Sequence, residues 1–429
     1  MSIKNWNRET ICIQGGGYTP KSGEPRILPI IQSTTYKYED PDTVANLFDL
    51  KEEGHMYTRI SNPTLAAFEE KISQLEGGGV GAVAVSSGQS ANTLAVLNIC
   101  SAGDHIIASS NLYGGGTFNL LSSTLRKLGI ETTFVSPEVS EEEILKFAKD
   151  NTKIVFGETI GNPSVNVLDF NKFSNVAKKI GVPFIVDNTL MTPFLFRPFE
   201  YGANIVVHSA TKYIDGHATS VGGVIIDGGN FNWNNGKFPS LVDKDPTYHG
   251  ISYTEEFKDL AYITKLRVNL LRDLGTCLSP FNAFLFNLGL ETLHLRMERH
   301  SENALKLAEF LSQHDKVSWV KYPFLKNDKS YKNAKKYFKN GASGMLTFGI
   351  KGGTDQAKEF IKNLKLASLV IHIGDARTSV LHPSSTTHRQ LSNEEQIASG
   401  VTEDLIRVSV GIEHAEDIIK DFDEALSKI

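Results

Sequence analysis

The stretch that decides the fold runs from residue 184 to residue 212. It begins Phe184-Ile185-Val186-Asp187-Asn188-Thr189 and ends Ile205-Val206-Val207-His208-Ser209-Ala210-Thr211-Lys212. Each short apolar run predicts a buried β-strand, and polar residues follow each run directly. Pro183 stands at the entry of the first run, where a missing ladder donor matters least. At two points we therefore expect a strand to end and a polar site to begin.

The same pattern repeats on either side of this stretch. Further apolar runs predict strands at residues 82–85, 105–108, 133–135, 153–156 and 224–226. Helical patterns lie between the runs, such as Glu141 to Asp150 and Phe170 to Ile180. Continuous apolar runs separated by helices are typical of a parallel sheet covered on both faces. We therefore predict an α/β domain over residues 61–270 with a large, mostly parallel sheet.

The pattern changes after residue 270. Pro280 to Leu311 predicts one long helix, while Met345 to Ile350 and Leu405 to Val410 predict strands. The chain ends in a predicted amphipathic helix. These elements indicate a smaller α+β domain over residues 271–429. In contrast, the first 60 residues contain turn signals and no clear period, which predicts an irregular segment.

Composition and charge exclude several classes of protein. The chain has 429 residues, of which 40% are hydrophobic and 22% charged, so it is not disordered. Its net charge of −5 lacks the basic excess of a nucleic-acid or anionic-membrane surface. No apolar stretch approaches the ~18 residues of a spanning helix. The scattered Cys12, Cys100 and Cys277 form no disulfide or metal-ligand pattern, which indicates a reducing, cytoplasmic location.

Two polar residues at predicted strand ends could carry chemistry. Ligands of open parallel sheets bind at the carboxyl ends of the strands. Asp187 lies there, and it either caps a turn or pairs with a buried cation, since an unpaired buried carboxylate is costly. Lys212 follows the hydroxyls of Ser209 and Thr211. It is either a solvated loop residue or a lysine of lowered pKa that forms a Schiff base.

A third element could bind an anion. Ser87-Gly88-Gln89 follows one predicted strand and opens a helical run, and a helix N-terminus offers free N–H groups to a phosphate. Tyr113, after the next strand, could stack on a ring. A phosphate site, a candidate Schiff-base lysine and a strand-end carboxylate are together what pyridoxal phosphate needs. The glycine spacings of nucleotide-binding loops are absent.

Several motifs carry a resemblance to a known family. In chain order they are Tyr57-Thr58-Arg59-Ile60-Ser61-Asn62-Pro63-Thr64, Ser87-Gly88-Gln89, Val186-Asp187-Asn188-Thr189, Ser209-Ala210-Thr211-Lys212-Tyr213, Leu381-His382-Pro383 with Thr387-His388, and Arg407-Val408-Ser409-Val410-Gly411-Ile412-Glu413. Their joint order resembles the Cys/Met-metabolism family of pyridoxal-phosphate-dependent enzymes over essentially the whole chain. Within that family the chain is most similar to the O-acetylhomoserine sulfhydrylases.

The resemblance implies a fold and a set of site residues. The fold would be the aspartate-aminotransferase type (fold type I), with residues 1–60 forming an arm that contacts a neighbouring subunit. Lys212 would be the Schiff-base lysine, Asp187 would pair with the pyridine nitrogen and Tyr113 would stack on the ring. The other implied cofactor contacts are Tyr57, Arg59, Ser87, Gly88, Gln89, Glu158, Asn162, Thr189, Ser209 and Thr211. The implied substrate contacts are Tyr57, Ser379 and Arg407, the last for the α-carboxylate.

The resemblance also implies a reaction. It would be a γ-replacement in which O-acetyl-L-homoserine and sulfide, or a thiol, give L-homocysteine, or methionine, and acetate. Cystathionine γ-synthase and methionine γ-lyase are alternatives on the same scaffold, and a non-catalytic binding protein is a third. The family also implies a homo-oligomer, a tetramer built from dimers, in which Tyr57 and Arg59 reach the phosphate of a neighbouring subunit. Neither nucleic acid nor membrane is expected as a partner.

Overall fold

The computed structural model describes residues 6–387, 389, 394, 396 and 400–429, which form two β-sheets. The larger sheet has seven described strands in the order β1-β7-β6-β5-β4-β2-β3. Their bounds are β1 Gly81–Val85, β2 His105–Ser109, β3 Glu131–Val135, β4 Thr152–Glu158, β5 Phe184–Asp187, β6 Ile205–Ser209 and β7 Gly223–Asp227. Each strand predicted before residue 270 is therefore present.

The prediction of a mostly parallel sheet is confirmed, with one strand reversed. Strands β3, β2, β4, β5 and β6 pair in parallel, whereas β7 runs antiparallel to both of its neighbours, β1 and β6. The reversal follows from the connection, because residues 210–222 form turns rather than the crossover helix that a parallel pair needs. Thr211 and Gly222 close this connection through a 3.1 Å hydrogen bond between the Gly222 N–H and Thr211 Oγ1.

Helices cover the larger sheet. The helix Phe170–Ile180 has the predicted bounds, but the helix that begins at Glu141 ends at Leu145, because Lys149 and Thr152 form a hydrogen-bonded turn instead. The other α-helices up to residue 274 are Arg8–Gln14, Pro41–Phe48, Pro63–Glu76, Gly88–Leu97, Leu125–Lys127, Thr192–Leu195, Pro239–Val242, Tyr253–Phe257, Ala261–Lys265 and Arg272–Leu274. The first 60 residues are thus less irregular than predicted, since they contain two helices.

The second sheet has five described strands in the order β10-β11-β12-β9-β8. They are β8 Val317–Lys321, β9 Met345–Ile350, β10 Ser368–Leu369, β11 Ser379–Leu381 and β12 Leu405–Ser409. The α-helices whose bounds the structure describes in this region are Pro280–Glu291, Leu293–Ser312, Tyr331–Tyr337, Thr354–Asn363 and Ala415–Leu426. The prediction of one helix from 280 to 311 is wrong. The Arg296 guanidinium donates to the Gly289 carbonyl at 2.6 Å, which accompanies a break at Thr292.

The topology gives the larger sheet two distinct edges. Strands β4, β5 and β6 end at Glu158, Asp187 and Ser209. We call the side of the sheet where these strands end the carboxyl edge, and the side where they begin the amino edge. Because β7 is reversed, its last residue, Asp227, lies at the amino edge beside Ile205. No helix in the described part of the chain combines the length and apolar character that crossing a membrane requires. His388 lies outside the described residues.

Candidate active site

A cavity of about 260 Å³ opens at the carboxyl edge of the larger sheet. All of the predicted site residues except Tyr57, Arg59 and Ser379 line it. These lining residues are Ser87, Gly88, Gln89, Tyr113, Glu158, Asn162, Asp187, Thr189, Ser209, Thr211, Lys212 and Arg407. Most of them follow the end of a strand, so the parallel topology brings together residues that are far apart in the sequence.

Lys212 lies in the turn that follows β6, and its side chain faces the cavity. Its ammonium forms no hydrogen bond or ion pair with any residue that the structure describes. Burial penalises the charged form, and Arg407 adds a repulsive positive charge, so the pKa of Lys212 is lowered to about 8. A substantial fraction of Lys212 is therefore a neutral amine, which is the nucleophilic and basic form, just above neutral pH.

Asp187 ends β5 and is held by hydrogen bonds from its own turn. Its Oδ1 accepts the Thr189 N–H at 3.0 Å and the Thr189 hydroxyl at 2.5 Å. Its Oδ2 lies 3.4 Å from Asn92 Nδ2. These donors fix the carboxylate in the cavity, where it can face a cationic group of a ligand.

Glu158 is the neighbour of Asp187 on β4. Burial, and then the negative charge of Asp187, raise the pKa of Glu158 well above its usual value. Its Oε1 accepts the backbone N–H of Tyr113 at 2.9 Å, so it also holds the segment that carries the Tyr113 ring. Glu158 therefore lies beside Asp187 as a buried carboxyl group whose charged form is disfavoured.

The helix Gly88–Leu97 begins at the cavity and provides an anion site. Ser87 caps it, since its Oγ accepts the Ser90 N–H at 3.1 Å. The N–H groups of Gly88 and Gln89 donate to no described residue, and a helix N-terminus favours negative charge. A side chain on Gly88 would bring its Cβ to 2.5 Å from the Ser209 Cβ, so only glycine allows this close approach.

Arg407 comes from the second sheet, on strand β12. It is buried, and its guanidinium donates to the Ile371 carbonyl at 2.8 Å. Burial lowers the pKa of Arg407 to about 10, so the guanidinium is still charged at neutral pH. Next to it, Val221, Ile371 and Ile373 give the cavity an apolar wall. A substrate carboxylate could bind this arginine while its aliphatic part contacts the wall.

Three predicted site residues lie elsewhere. Tyr57 is 45% exposed, and it lines a separate surface cleft with Arg59 and Arg272. The Arg59 guanidinium lies 5.5 Å from the centre of the Tyr57 ring and donates to the Arg272 carbonyl. Ser379 is buried, and its hydroxyl donates to the His372 carbonyl at 3.2 Å, behind the cavity wall. The structure thus does not bring these three side chains into the cavity of their own chain.

Sequence reasoning missed several lining residues. Asn92 lies one helical turn after Gly88, so the i, i+4 spacing from the predicted anion site could have identified it. The other missed residues are Thr117, Ile160, Leu190, Val221, Ile371 and Ile373. Ile371 and Ile373 lie in an irregular segment, where no period or motif signals their position.

The residues of the cavity fit pyridoxal phosphate. The unpaired Lys212 amine can bond to an aldehyde carbon, and the free N–H groups at Gly88 and Gln89 can bind a phosphate. The Asp187 carboxylate, held by Thr189, can pair with a protonated ring nitrogen. The buried Asn92 Oδ1 has no partner among the described residues, which leaves an acceptor for a ligand. The site thus offers each kind of contact that this cofactor requires.

Comparisons with known proteins agree with this site. The sequence profile of the Cys/Met metabolism PLP-dependent enzymes matches residues 9–427. The O-acetyl-L-homoserine sulfhydrylase of Leptospira meyeri is 49% identical over 99% of this chain and 98% of its own length. The homocysteine synthase of Schizosaccharomyces pombe is 48% identical over 99% of both chains.

A solved structure is similar over the whole fold. The metY protein of Campylobacter jejuni has a TM-score of 0.94 and 37% sequence identity, covering 98% of this chain and 100% of that protein. It carries N'-pyridoxyl-lysine-5'-monophosphate, a lysine joined to the cofactor. The prediction from the motif order is confirmed, and this chain belongs to the Cys/Met-metabolism family of pyridoxal-phosphate-dependent enzymes.

Proposed function

We propose that this enzyme is an O-acetylhomoserine sulfhydrylase, which converts O-acetyl-L-homoserine and sulfide into L-homocysteine and acetate. With a thiol such as methanethiol the product would be methionine. One observation carries the proposal: the unpaired amine of Lys212 shares a cavity with the Arg407 guanidinium and a helix N-terminus. The names of the relatives in Leptospira meyeri and Schizosaccharomyces pombe support this substrate class.

Each residue would act on a different part of the bound molecules. Gly88, Gln89, Ser87, Ser209 and Thr211 would hold the phosphate. Asp187 would keep a proton on the ring nitrogen, Tyr113 would stack on the ring, and Glu158, Asn162 and Thr189 would complete the cofactor pocket. When bound, pyridoxal phosphate supplies an electron sink that acidifies the α-carbon of the substrate.

Lys212 would then move two protons. Its neutral amine takes the proton from the α-carbon and, as an ammonium, can return it; the same amine can take a proton from the β-carbon. The bond between the γ-carbon and the ester oxygen breaks, and its electron pair leaves with acetate. A bond to the sulfur of sulfide replaces it. Arg407 would hold the α-carboxylate through both halves of the reaction, while the apolar wall excludes water.

Tyr57 and Arg59 would serve a neighbouring subunit. We infer a homo-oligomer, a tetramer built from dimers, in which these two residues reach the partner's phosphate and Tyr57 its substrate. The exposure of Tyr57 supports this inference. Residues 1–60 would then act as an arm, 61–270 as the cofactor-binding domain and 271–429 as the second domain, with Ser379 close to the substrate. The free thiols of Cys12, Cys100 and Cys277 support a cytoplasmic location.

The assignment is tested with the purified enzyme and O-acetyl-L-homoserine, with and without sulfide. We expect homocysteine to form only when sulfide is present. Release of 2-oxobutyrate at the same rate without sulfide would instead indicate a γ-lyase, and a product formed only with cysteine would indicate a cystathionine γ-synthase. For the shared site, mixing inactive Lys212→Ala and inactive Arg59→Ala proteins should restore part of the activity once subunits exchange.

A further inference from the structure

A buried polar cluster lies directly behind the residues that line the cavity. It consists of Glu76, Thr159, Asn188 and His208, each at most 1% exposed. Thr159 follows Glu158, Asn188 follows Asp187, and His208 precedes Ser209. Successive residues of a strand point to opposite faces of the sheet. One residue of each of these three pairs therefore faces the cavity, and its neighbour in the chain faces the cluster. Glu76 reaches the cluster from the end of the helix Pro63–Glu76.

Short contacts join the four side chains. Glu76 Oε1 lies 2.5 Å from His208 Nε2 and accepts Asn188 Nδ2 at 3.2 Å. The Thr159 hydroxyl lies 2.8 Å from Asn188 Oδ1 and 3.0 Å from the carbonyl oxygen of Asp187, so its one proton serves two acceptors. The cluster therefore runs without a gap from the helix end, past β6, to the backbone of Asp187.

The cluster is costly for folding alone. Glu76 Oε2 and His208 Nδ1 are buried and have no partner within the described ranges. Buried polar networks that are only partly satisfied destabilise a core relative to apolar side chains of similar volume. The two unpaired atoms thus carry a folding cost that the favourable charge of Arg197 near Glu76 and the 3.0 Å bond from Asn188 Nδ2 to the Phe196 carbonyl offset only in part, and the position of the cluster behind the site gives a second reason for its residues.

The contacts of the cluster hold strand ends where the sheet pairing stops. The last paired residues are Glu158 with Asp187 and Asp187 with Val207. Beyond them, the Thr159 N–H donates to the Asp187 carbonyl at 2.9 Å, and the Asn188 N–H donates to the Val207 carbonyl at 2.9 Å. The side-chain contacts of the cluster support these two backbone hydrogen bonds at the point where each strand ends and its loop begins.

We propose that Glu76, Thr159, Asn188 and His208 are positioning residues, which set the spacing of Glu158, Asp187 and Ser209 for the cofactor. The inference rests on the proposed cofactor roles of those three residues, but not on the identity of the substrate. It predicts that weakening the cluster loosens the cofactor more than it destabilises the fold.

The mildest test changes one hydroxyl. Thr159→Val keeps the shape of the side chain and removes the shared proton, whereas Thr159→Ser keeps that proton. For the holoenzyme, we expect cofactor loss during dialysis to be about tenfold faster in Thr159→Val than in wild type, and near wild type in Thr159→Ser. The visible absorbance of bound cofactor follows the loss. Equal rates in Thr159→Val and Thr159→Ser would overturn the proposal.

A matched control uses the amino edge of the same sheet. His105 is also fully buried, and its ring nitrogens lie 2.9 Å from Thr152 Oγ1 and 2.8 Å from Thr133 Oγ1. We expect His208→Gln and His105→Gln to lower the melting temperature similarly, but only His208→Gln to speed cofactor loss and lower kcat. If both variants lose cofactor alike, the cluster is merely structural. If O-acetyl-L-homoserine proves not to be the substrate, the cofactor readout still decides.

Discussion

The two edges of the larger sheet carry similar buried polar residues that differ in their partners. At the amino edge, both ring nitrogens of His105 contact threonine hydroxyls, and Lys265 donates to the carbonyl of Asn98 at 2.8 Å. At the carboxyl edge, the Lys212 amine and the side-chain oxygen Oδ1 of Asn92 have no partner in the described chain, and both residues line a cavity. Burial alone therefore does not identify a functional group, whereas an unpaired group that faces a cavity does.

Two lysines give the sharpest form of this comparison, with the largest expected effect. Burial lowers the pKa of both Lys212 and Lys265 to about 8, but only Lys212 faces the cavity. Lys212→Ala should reduce kcat by about 10⁴-fold or more, because the base and the covalent attachment are both lost. Lys265→Met should lower the melting temperature and leave kcat within about twofold of wild type. Comparable losses of kcat in the two variants would refute the distinction between the edges.

Two aspartates, each the last residue of its strand, provide the next comparison. Asp187 lies at the carboxyl edge and Asp227 at the amino edge. We expect Asp187→Asn to lower kcat about 100-fold, because in the proposed site the ring nitrogen would lose the charge that keeps it protonated. Asp227→Asn should leave kcat unchanged. The exchange of the substrate α-proton with deuterium, measured by NMR, reports this step directly, and an unchanged exchange rate in Asp187→Asn would contradict its role.

Arg407 tests the contribution of the second sheet. Arg407→Lys keeps a positive charge but cannot make two parallel hydrogen bonds to a carboxylate. We expect KM for O-acetyl-L-homoserine to rise about tenfold with a smaller change in kcat. The absorbance of bound cofactor should stay as in wild type, since the role that we propose for Arg407 is to bind the substrate. A lost absorbance band with an unchanged KM would instead place Arg407 in the cofactor site.

The smallest effect concerns an exception at the amino edge. Asp227 Oδ2 is buried and has no partner among the described residues, and burial raises the pKa of Asp227 from 3.8 to about 7. Because the folded-state pKa is the higher one, the contribution of Asp227 to stability is full below pH 3.8 and is lost as the pH rises through about 7. Asp227→Asn should therefore raise the urea midpoint at pH 8 more than at pH 5. An equal or negative shift at pH 8 would show that the carboxylate is satisfied.

Residues next to strong local signals could be predicted from the sequence. Asp187 directly follows one apolar run and Lys212 lies shortly after the next, and the topology of parallel strands then brings both residues to the same cavity. The break at Thr292 could not be predicted, because it accompanies the contact of Arg296 with a carbonyl in the preceding helix. Ile371 and Ile373 could not be predicted either, because only the packing of the second sheet beside the first brings this irregular segment to the cavity.

The reversed strand β7 has a consequence for the proposed reaction. Two hydrogen bonds join the ends of the turn that bears Lys212. The Gly222 N–H donates to Thr211 Oγ1 at 3.1 Å, and the Thr211 hydroxyl donates to the Gly222 carbonyl at the same distance. In the proposed reaction the amine would then move by rotation of its own side-chain bonds, with the backbone of the turn held in place. The proposed transfer of a proton from one carbon to the next would therefore require no opening of this turn.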